Sequence, residues 1–177
     1  MIDYGIFQFA CPPGVGEEWF VRAAQAAGRG PGFPHRAYGH FQRDRIDRLR
    51  VGLVCNPFDW LATMHARPPE SNHAGRVGDL PRGLSLRGFA EEYLEQCPGE
   101  LTRLALAYEA DTVLRLEDCP GAFLSLVAPF ADKVMLAPEF FHRRPQFMAD
   151  NSIREDPPLA ARFRRAEREL FDRYDYW

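Results

Sequence analysis

The chain has almost no lysine: of its 22 basic residues, Lys133 alone is lysine and the others are arginine. A coding bias toward arginine explains this composition. The functional alternative is anion capture, because the planar guanidinium fork binds phosphate and sulfate through paired hydrogen bonds. The net charge of −3 gives no excess of positive charge that would favour nucleic acid as a partner. Any phosphate clamp near the N-terminus must therefore be built without lysine.

Long apolar runs are also missing, and no stretch approaches the roughly 20 residues that a membrane-spanning helix requires. The N-terminus has no basic region followed by an apolar stretch, so we expect no signal peptide and a cytoplasmic location. The 177 residues, of which 46% are hydrophobic, are enough to bury a substantial core. We therefore expect a single domain over residues 1–177, with no membrane partner.

Several familiar motifs are absent. The chain has no Walker sequence G-x-x-x-x-G-K-[ST], no G-x-G-x-x-G, no H-E-x-x-H and no G-x-S-x-G. Nothing in the sequence predicts a metal site. The cysteines do not form a C-x-x-C pair, and we interpret them as small buried hydrophobic residues. Cys11 and Cys55 lie at the ends of predicted strands, which leaves a redox or nucleophilic role as the alternative.

Strand and helix signals alternate along the chain. Strands rich in β-forming residues are predicted over residues 4–10, 50–55 and 111–116. Apolar residues recur at helical spacing over residues 17–27, 57–65, 86–94, 101–108, 122–130 and 158–174. Residues 67–83 and 140–156 are polar and predicted to be irregular. This alternation predicts an α/β fold, a three-layer sandwich with a mainly parallel sheet covered on both faces.

The carboxyl ends of the predicted strands are the expected place for a ligand. Cys11, Asn56 and Glu117 each follow one of these strands. Because parallel strands end at the same edge of a sheet, we expect the three loops to surround one pocket.

Three segments, in this order, resemble the sulfotransferase family. Pro13-Gly14-Val15-Gly16-Glu17-Glu18-Trp19-Phe20 resembles the donor-binding loop P-K-S-G-T-T-W-L. Val54-Cys55-Asn56-Pro57-Phe58-Asp59-Trp60-Leu61-Ala62-Thr63 resembles the V-R-N-P-x-D-W-x-x-S segment that contacts the donor's 3′-phosphate. Leu114-Arg115-Leu116-Glu117-Asp118 is similar to the strand end L-R-Y-E-D, and residues 169–176 look like the ending of many bacterial members.

The resemblance implies a P-loop-like sulfotransferase architecture. It also implies sulfuryl transfer from 3′-phosphoadenosine 5′-phosphosulfate to a hydroxyl or amine of a small-molecule, glycan or peptide acceptor. The implied donor-binding residues are Gly14, Val15, Gly16, Glu17 and Trp19 in the first loop, and Asn56, Thr63 and Arg143 around the 3′-phosphate. The implied catalytic base is His35, with His40 and Glu18 as alternatives.

The donor loop departs from the family pattern. Gly14 stands where the family has lysine, Glu17 and Glu18 stand where it has threonine, and Cys55 replaces an arginine. A glutamate carboxylate about 4 Å from the donor's phosphosulfate would repel it by roughly 1 kcal/mol in water. Glutamates in a first helical turn also have a structural explanation, since they complement the helix dipole by about 0.3–1 kcal/mol each. Two alternatives therefore stand beside the enzyme: a catalytically degenerate binding or interaction module, and an enzyme with a less anionic donor.

Overall fold

The computed structural model of the protein describes residues 2–3, 7–16, 49–66, 75–81, 83–108, 110–130 and 151–177. The chain divides into two compact units. Unit 1 contains Met1–Val54 and Tyr108–Gln146, and unit 2 contains Cys55–Ala107 and Phe147–Trp177. Strands lie in unit 1 and most of the described helices lie in unit 2, so the mixed α/β class predicted from the sequence is confirmed.

Unit 1 contains a four-stranded sheet in the order β1-β2-β3-β4. The strands are β1 (Ile2–Asp3), β2 (Phe7–Ala10), β3 (Leu49–Val54) and β4 (Thr112–Arg115). β2, β3 and β4 are parallel, whereas β1 is antiparallel to β2. The predicted mainly parallel sheet is confirmed. The short β1 adds a strand that no hydrophobic periodicity reveals, because two residues carry no period.

β3 is the middle one of the three parallel strands. Its residues 51–54 are all buried, as expected for a parallel strand that is covered on both faces. Gly52 allows close packing at this point, because a Cβ there would lie 3.2 Å from both the Cβ of Ala110 and the carbonyl oxygen of Tyr108. The sequence predicts this strand over residues 50–55, and the structure has it over Leu49–Val54, one residue earlier.

A helix, α4 (Gly121–Val127), packs against the sheet of unit 1. It follows β4 through the short 3₁₀ helix Leu116–Asp118 and continues into a second one, Ala128–Phe130. The rings of Phe123 and of Phe9 in β2 pack in a T-shaped arrangement, with ring centres 6.1 Å apart and planes at 84°. This contact anchors the helix beside the strand from which the first predicted loop departs.

The described secondary structure of unit 2 is helical. The helices are α1 (Pro57–Ala66), α2 (Leu86–Gln96), α3 (Glu100–Ala107), α5 (Pro157–Ala166) and α6 (Arg168–Tyr174). Their shared core is aromatic: the Phe163 ring centre lies 5.1 Å from that of Phe58 and 5.8 Å from that of Tyr93. Of the helices in the described part of the chain, none has the length and apolar character needed to cross a bilayer.

Two sequence-based predictions need correction in unit 2. The single helix predicted over residues 158–174 is wrong, since it breaks at Glu167 between α5 and α6. Glu167 has φ −105° and ψ 24°, and its carboxylate is buried. Residues 67–83 are not wholly irregular either: Gly75–Asp79 forms a 3₁₀ helix that buries Val77. Residues 67–74 lie outside the described part of the chain.

Candidate functional site

Residues 11–16, called the glycine loop below, leave the carboxyl end of β2 in unit 1. The Val15 N–H donates to the Pro12 carbonyl oxygen at 3.1 Å and closes a four-residue turn. Gly14, at the third position of this turn, has a φ of 90°. Proline at the second position followed by a glycine with positive φ is the signature of a type II turn. The Pro13-Gly14 pair therefore determines how the chain reverses after β2.

Gly16 brings the glycine loop against the 3₁₀ helix that follows β4. Its φ is 60°, and a Cβ built on it would lie only 2.7 Å from Cδ1 of Leu116. Leu116 is itself buried. Because β3 lies between β2 and β4, the loop must reach across the end of β3 to make this contact. Two of the three predicted loops thus adjoin, and the third, which begins at Cys55, belongs to unit 2.

The glycine loop offers backbone rather than side-chain chemistry. The Val15 side chain is fully buried and its N–H is engaged in the turn. Successive backbone N–H groups in turn conformations can form concave anion-binding sites. The opposing feature is negative charge, since Glu117 and Asp118 are exposed just beyond β4. Arg115 Nε lies 3.7 Å from the Asp118 carboxylate and offsets part of that charge.

The segment of residues 56–63 begins α1 in unit 2, and its distinctive side chains have structural partners. The Asn56 side-chain oxygen accepts the N–H of Phe58 at 3.1 Å and so caps the helix. Trp60 is fully buried. The Asp59 carboxylate pairs with Arg154 at 2.8 Å. Capping, core packing and an ion pair therefore explain the N-P-x-D-W spacing within unit 2.

Thr63 also bonds within its own helix. Its hydroxyl donates to the Asp59 carbonyl oxygen, one turn earlier, at 2.8 Å. A threonine hydroxyl has a single proton, so in this position it has only its lone pairs to offer. Donation to a phosphate oxygen would require the Thr63 hydroxyl to rotate away from Asp59.

The structure describes five of the residues that the sequence singles out: Gly14, Val15 and Gly16 in unit 1, and Asn56 and Thr63 in unit 2. The remaining candidates lie outside the described residues: Glu17, Glu18, Trp19, His35, His40 and Arg143. Their roles stay predictions.

The prediction that the cysteines are buried is confirmed for all four, which are free thiols. Burial raises the pKa of Cys97 to about 11 and that of Cys119 to about 12. Since the thiolate is the nucleophile, these two thiols are poorly reactive at neutral pH. Among the described residues, no three His, Cys, Asp or Glu side chains converge on a point that could hold a metal ion.

A buried carboxylate in unit 2, which the sequence reasoning missed, joins three elements. The Glu167 carboxylate accepts the N–H groups of Gly99 and Thr102, both at 2.8 Å, and the Thr102 hydroxyl at 2.7 Å. It also accepts the hydroxyl of Tyr93, which in turn accepts the N–H of Leu101 at 3.0 Å. Burial, and then the neighbouring Glu167, raise the pKa of Tyr93 well above its usual range. We call Glu167, Tyr93, Gly99 and Thr102 the Glu167 centre.

The Glu167 centre caps α3. The first N–H groups of a helix have no partner within it. Here Glu167 and the Tyr93 hydroxyl accept those of Thr102 and Leu101, and the Glu100 N–H donates to the Cys97 carbonyl oxygen at 3.2 Å. The signal in the sequence is a charge on an apolar stripe, because Glu167 lies four residues after Phe163 and three before Leu170.

Comparison with known proteins adds no relative to these observations. No protein-family model, no curated protein and no solved structure matches this chain. The likeness to sulfotransferases therefore depends on the sequence segments alone.

Proposed function

We propose that the protein is a sulfotransferase-like enzyme that transfers a sulfuryl group from 3′-phosphoadenosine 5′-phosphosulfate to a hydroxyl or amine. The observation that supports this most is the glycine loop, which follows a parallel strand and carries positive φ at Gly14 and Gly16. Ligands of open α/β sheets bind at this edge. The protein would have the P-loop-like, three-layer architecture of the sulfotransferases. Its acceptor would be a small molecule, a glycan or a peptide.

The glycine loop fits an anionic donor in part. Gly14 has no side chain that would hold a phosphate or sulfate group away from the backbone, whereas the side of Gly16 where a Cβ would lie is occupied by Leu116. The Val15 N–H is already bonded to Pro12, so backbone donors have to come from Gly16 onward. The sequence has no lysine here to neutralise the donor, and arginine must supply that charge.

When bound, the donor would supply the sulfuryl group and leave as adenosine 3′,5′-bisphosphate. A bond forms between the acceptor oxygen or nitrogen and sulfur, while the bond from sulfur to the bridging phosphate oxygen breaks. His35 would take the acceptor's proton, with His40 and Glu18 as alternatives. Glu17 and Trp19 belong to the donor loop. Asn56, Thr63 and Arg143 would hold the 3′-phosphate.

A second function, that of a catalytically degenerate binding or interaction module, is favoured by a specific observation. The Val15 N–H and the Thr63 hydroxyl, two groups that the donor would use, are both bonded inside the protein. The missing lysine and the arginine replaced by Cys55 favour the same alternative.

Calorimetric titration with adenosine 3′,5′-bisphosphate separates the two functions. For the enzyme we expect micromolar binding, and Thr63→Ala should weaken it roughly ten- to hundredfold. The reason is that a hydrogen bond to a charged group contributes about 1.5–3 kcal/mol. Thr63→Ser, which keeps the hydroxyl, is the matched control and should retain most of the affinity.

The absence of both heat and a thermal shift at millimolar nucleotide would reject the enzyme. The converse experiment restores the family's side chains with Gly14→Lys and Glu17→Thr together. Nucleotide binding gained by this variant, in a chain that natively has none, would support the degenerate module.

A further inference from the structure

Two arginines of unit 2 meet on one aromatic ring. The Cζ atom of Arg154 lies 5.4 Å, and that of Arg164 5.2 Å, from the centre of the Phe58 ring. Phe58 is buried in the aromatic core, whereas the Arg154 side chain is 34% exposed and Arg164 is half-buried. Each guanidinium gains from its contact with the ring, and because both Cζ atoms lie within 5.4 Å of the same ring centre they are at most 10.6 Å apart.

One carboxylate offsets the charge of this pair. Arg154 donates to Asp59 at 2.8 Å and to the side-chain oxygen of Asn151 at 3.1 Å. Arg164 makes no hydrogen bond or ion pair with any residue of the described ranges, so its N–H donors are open to a ligand. Among the described residues, Asp59 is the one carboxylate paired with these two guanidiniums, which leaves a net positive charge in the group.

The helix that carries Arg164 strengthens this positive potential. α5 contains three arginines and no acidic residue, and Arg162 and Arg165 on it are exposed. Asp156, the residue that caps the N-terminus of α5, forms an ion pair with Arg87 at 2.9 Å, so its charge is already offset. Clustered charges of one sign raise the local concentration of an oppositely charged ligand.

We propose that Arg154 and Arg164 form an anion site over Phe58 that binds a phosphate or sulfate group. The guanidinium fork matches a tetrahedral oxyanion through paired, charge-assisted hydrogen bonds. Asp59 and Asn151 hold Arg154 in place, and Phe58 holds Arg164, so both side chains are partly ordered before the ligand arrives. The site does not depend on the sulfotransferase proposal, because free phosphate and the phosphate of a nucleotide present the same chemistry.

The test is titration of the full chain with inorganic phosphate, at an ionic strength kept constant with sodium chloride. Phosphate should raise Tm, and Arg164→Gln should weaken phosphate binding about tenfold or more. Arg164→Lys keeps the charge but loses the fork, so its affinity should fall between the two. Arg162→Gln is the matched control: it removes the same charge from the same helix, at an exposed residue without a ring contact, and should weaken phosphate binding far less than Arg164→Gln does.

Three results would overturn the site: no phosphate-dependent shift in the native chain, equal affinity in Arg164→Gln, or an equal loss in Arg162→Gln. The last would indicate attraction to the whole helix. Circular dichroism of each variant checks that it is folded. If Arg164→Gln does not fold, Arg164→Lys still tests the site. Competition between phosphate and adenosine 3′,5′-bisphosphate supports a site for nucleotide, and binding of phosphate without competition supports a site for the free anion.

Discussion

The glycine loop of unit 1 and the Glu167 centre of unit 2 both concentrate polar groups in closely packed surroundings, but they do so in opposite ways. The loop uses backbone alone, with positive φ at Gly14 and Gly16 and no polar side chain. The centre uses a buried carboxylate that accepts hydrogen bonds from four donors. Polar groups that are already paired inside the protein have little left to offer a ligand. The loop is the better candidate for function because it follows the carboxyl end of a parallel strand, where open α/β sheets bind their ligands.

The raised pKa of Tyr93 in the Glu167 centre does not by itself indicate a functional site. Tyr93 has a strongly raised pKa beside a buried acid, which is the usual mark of an active site. In this protein the same pair accepts the N–H groups that begin α3, and that role accounts for both side chains. The raised pKa of Tyr93 therefore goes with a structural role at the start of α3. Measurements of unfolding free energy on variants of the Glu167 centre and of the glycine loop can test this distinction.

The largest effect is expected from Glu167→Ala. The variant leaves the N–H groups of Gly99 and Thr102, and two hydroxyls, buried without their acceptor. Several such losses in one network should lower the free energy of unfolding by about 3–5 kcal/mol. Urea denaturation measures this directly.

Glu169→Ala, two residues further along the chain and exposed, is the control for removing a carboxylate. It should change the free energy of unfolding by less than about 0.5 kcal/mol. Glu167→Gln keeps one acceptor oxygen and should be intermediate. If Glu167→Ala cost less than about 1 kcal/mol, the centre would not be the cap of α3 and the comparison would fail.

Much of the secondary structure could be predicted from the sequence because burial imposes a period. The buried run that forms β3 lies between polar segments, and Pro57 begins α1 at a position where its missing N–H costs nothing. Both elements match their predicted bounds to within one residue. The Pro13-Gly14 pair likewise predicts a tight turn.

Contacts between distant residues could not be predicted in this way. Nothing local indicates that Gly16 packs against Leu116, 100 positions later. The apolar stripe from Leu159 to Phe171 fits one continuous helix, and the sequence gives no sign that Glu167, where the helix breaks, meets the α3 N-terminus. Sequence patterns encode which face of an element is buried, but not which polar group meets it there.

The second effect concerns the glycine loop. Gly16→Ala places a Cβ 2.7 Å from Leu116 on a backbone with φ 60°, so it combines a left-handed conformation with overpacking. Together these should destabilise the fold by about 2–3 kcal/mol. Gly121→Ala, where a Cβ meets nothing within 4 Å, is the matched control and should be close to neutral. In a Leu116→Ala background the steric part of the cost should vanish, and an undiminished cost would contradict this packing.

The smallest effect on stability is expected at Glu100, the other buried glutamate of unit 2. Glu100 has a charged partner, Arg103, whereas the hydrogen-bond donors to Glu167 are neutral. The Arg103 Nε bonds to Glu100 at 2.7 Å, and this hydrogen bond holds the pKa of Glu100 below its ordinary value of 4.5. A carboxyl whose pKa is lowered by folding stabilises the protein fully above that value and loses this contribution as the pH falls through the folded pKa.

Arg103→Gln removes the main cause of that pKa shift. Because Arg103 is largely exposed, the expected loss is only about 1 kcal/mol at neutral pH. The loss should shrink as the pH falls from the ordinary range of a glutamate through the lowered folded pKa of Glu100. Urea denaturation at about pH 7, 5 and 3 measures this, with Arg162→Gln as the control that removes an arginine without a carboxylate partner. A difference that stays constant with pH would mean that Arg103 stabilises by packing its stem. The contrast between charged and neutral partners would then not explain how the two glutamates differ.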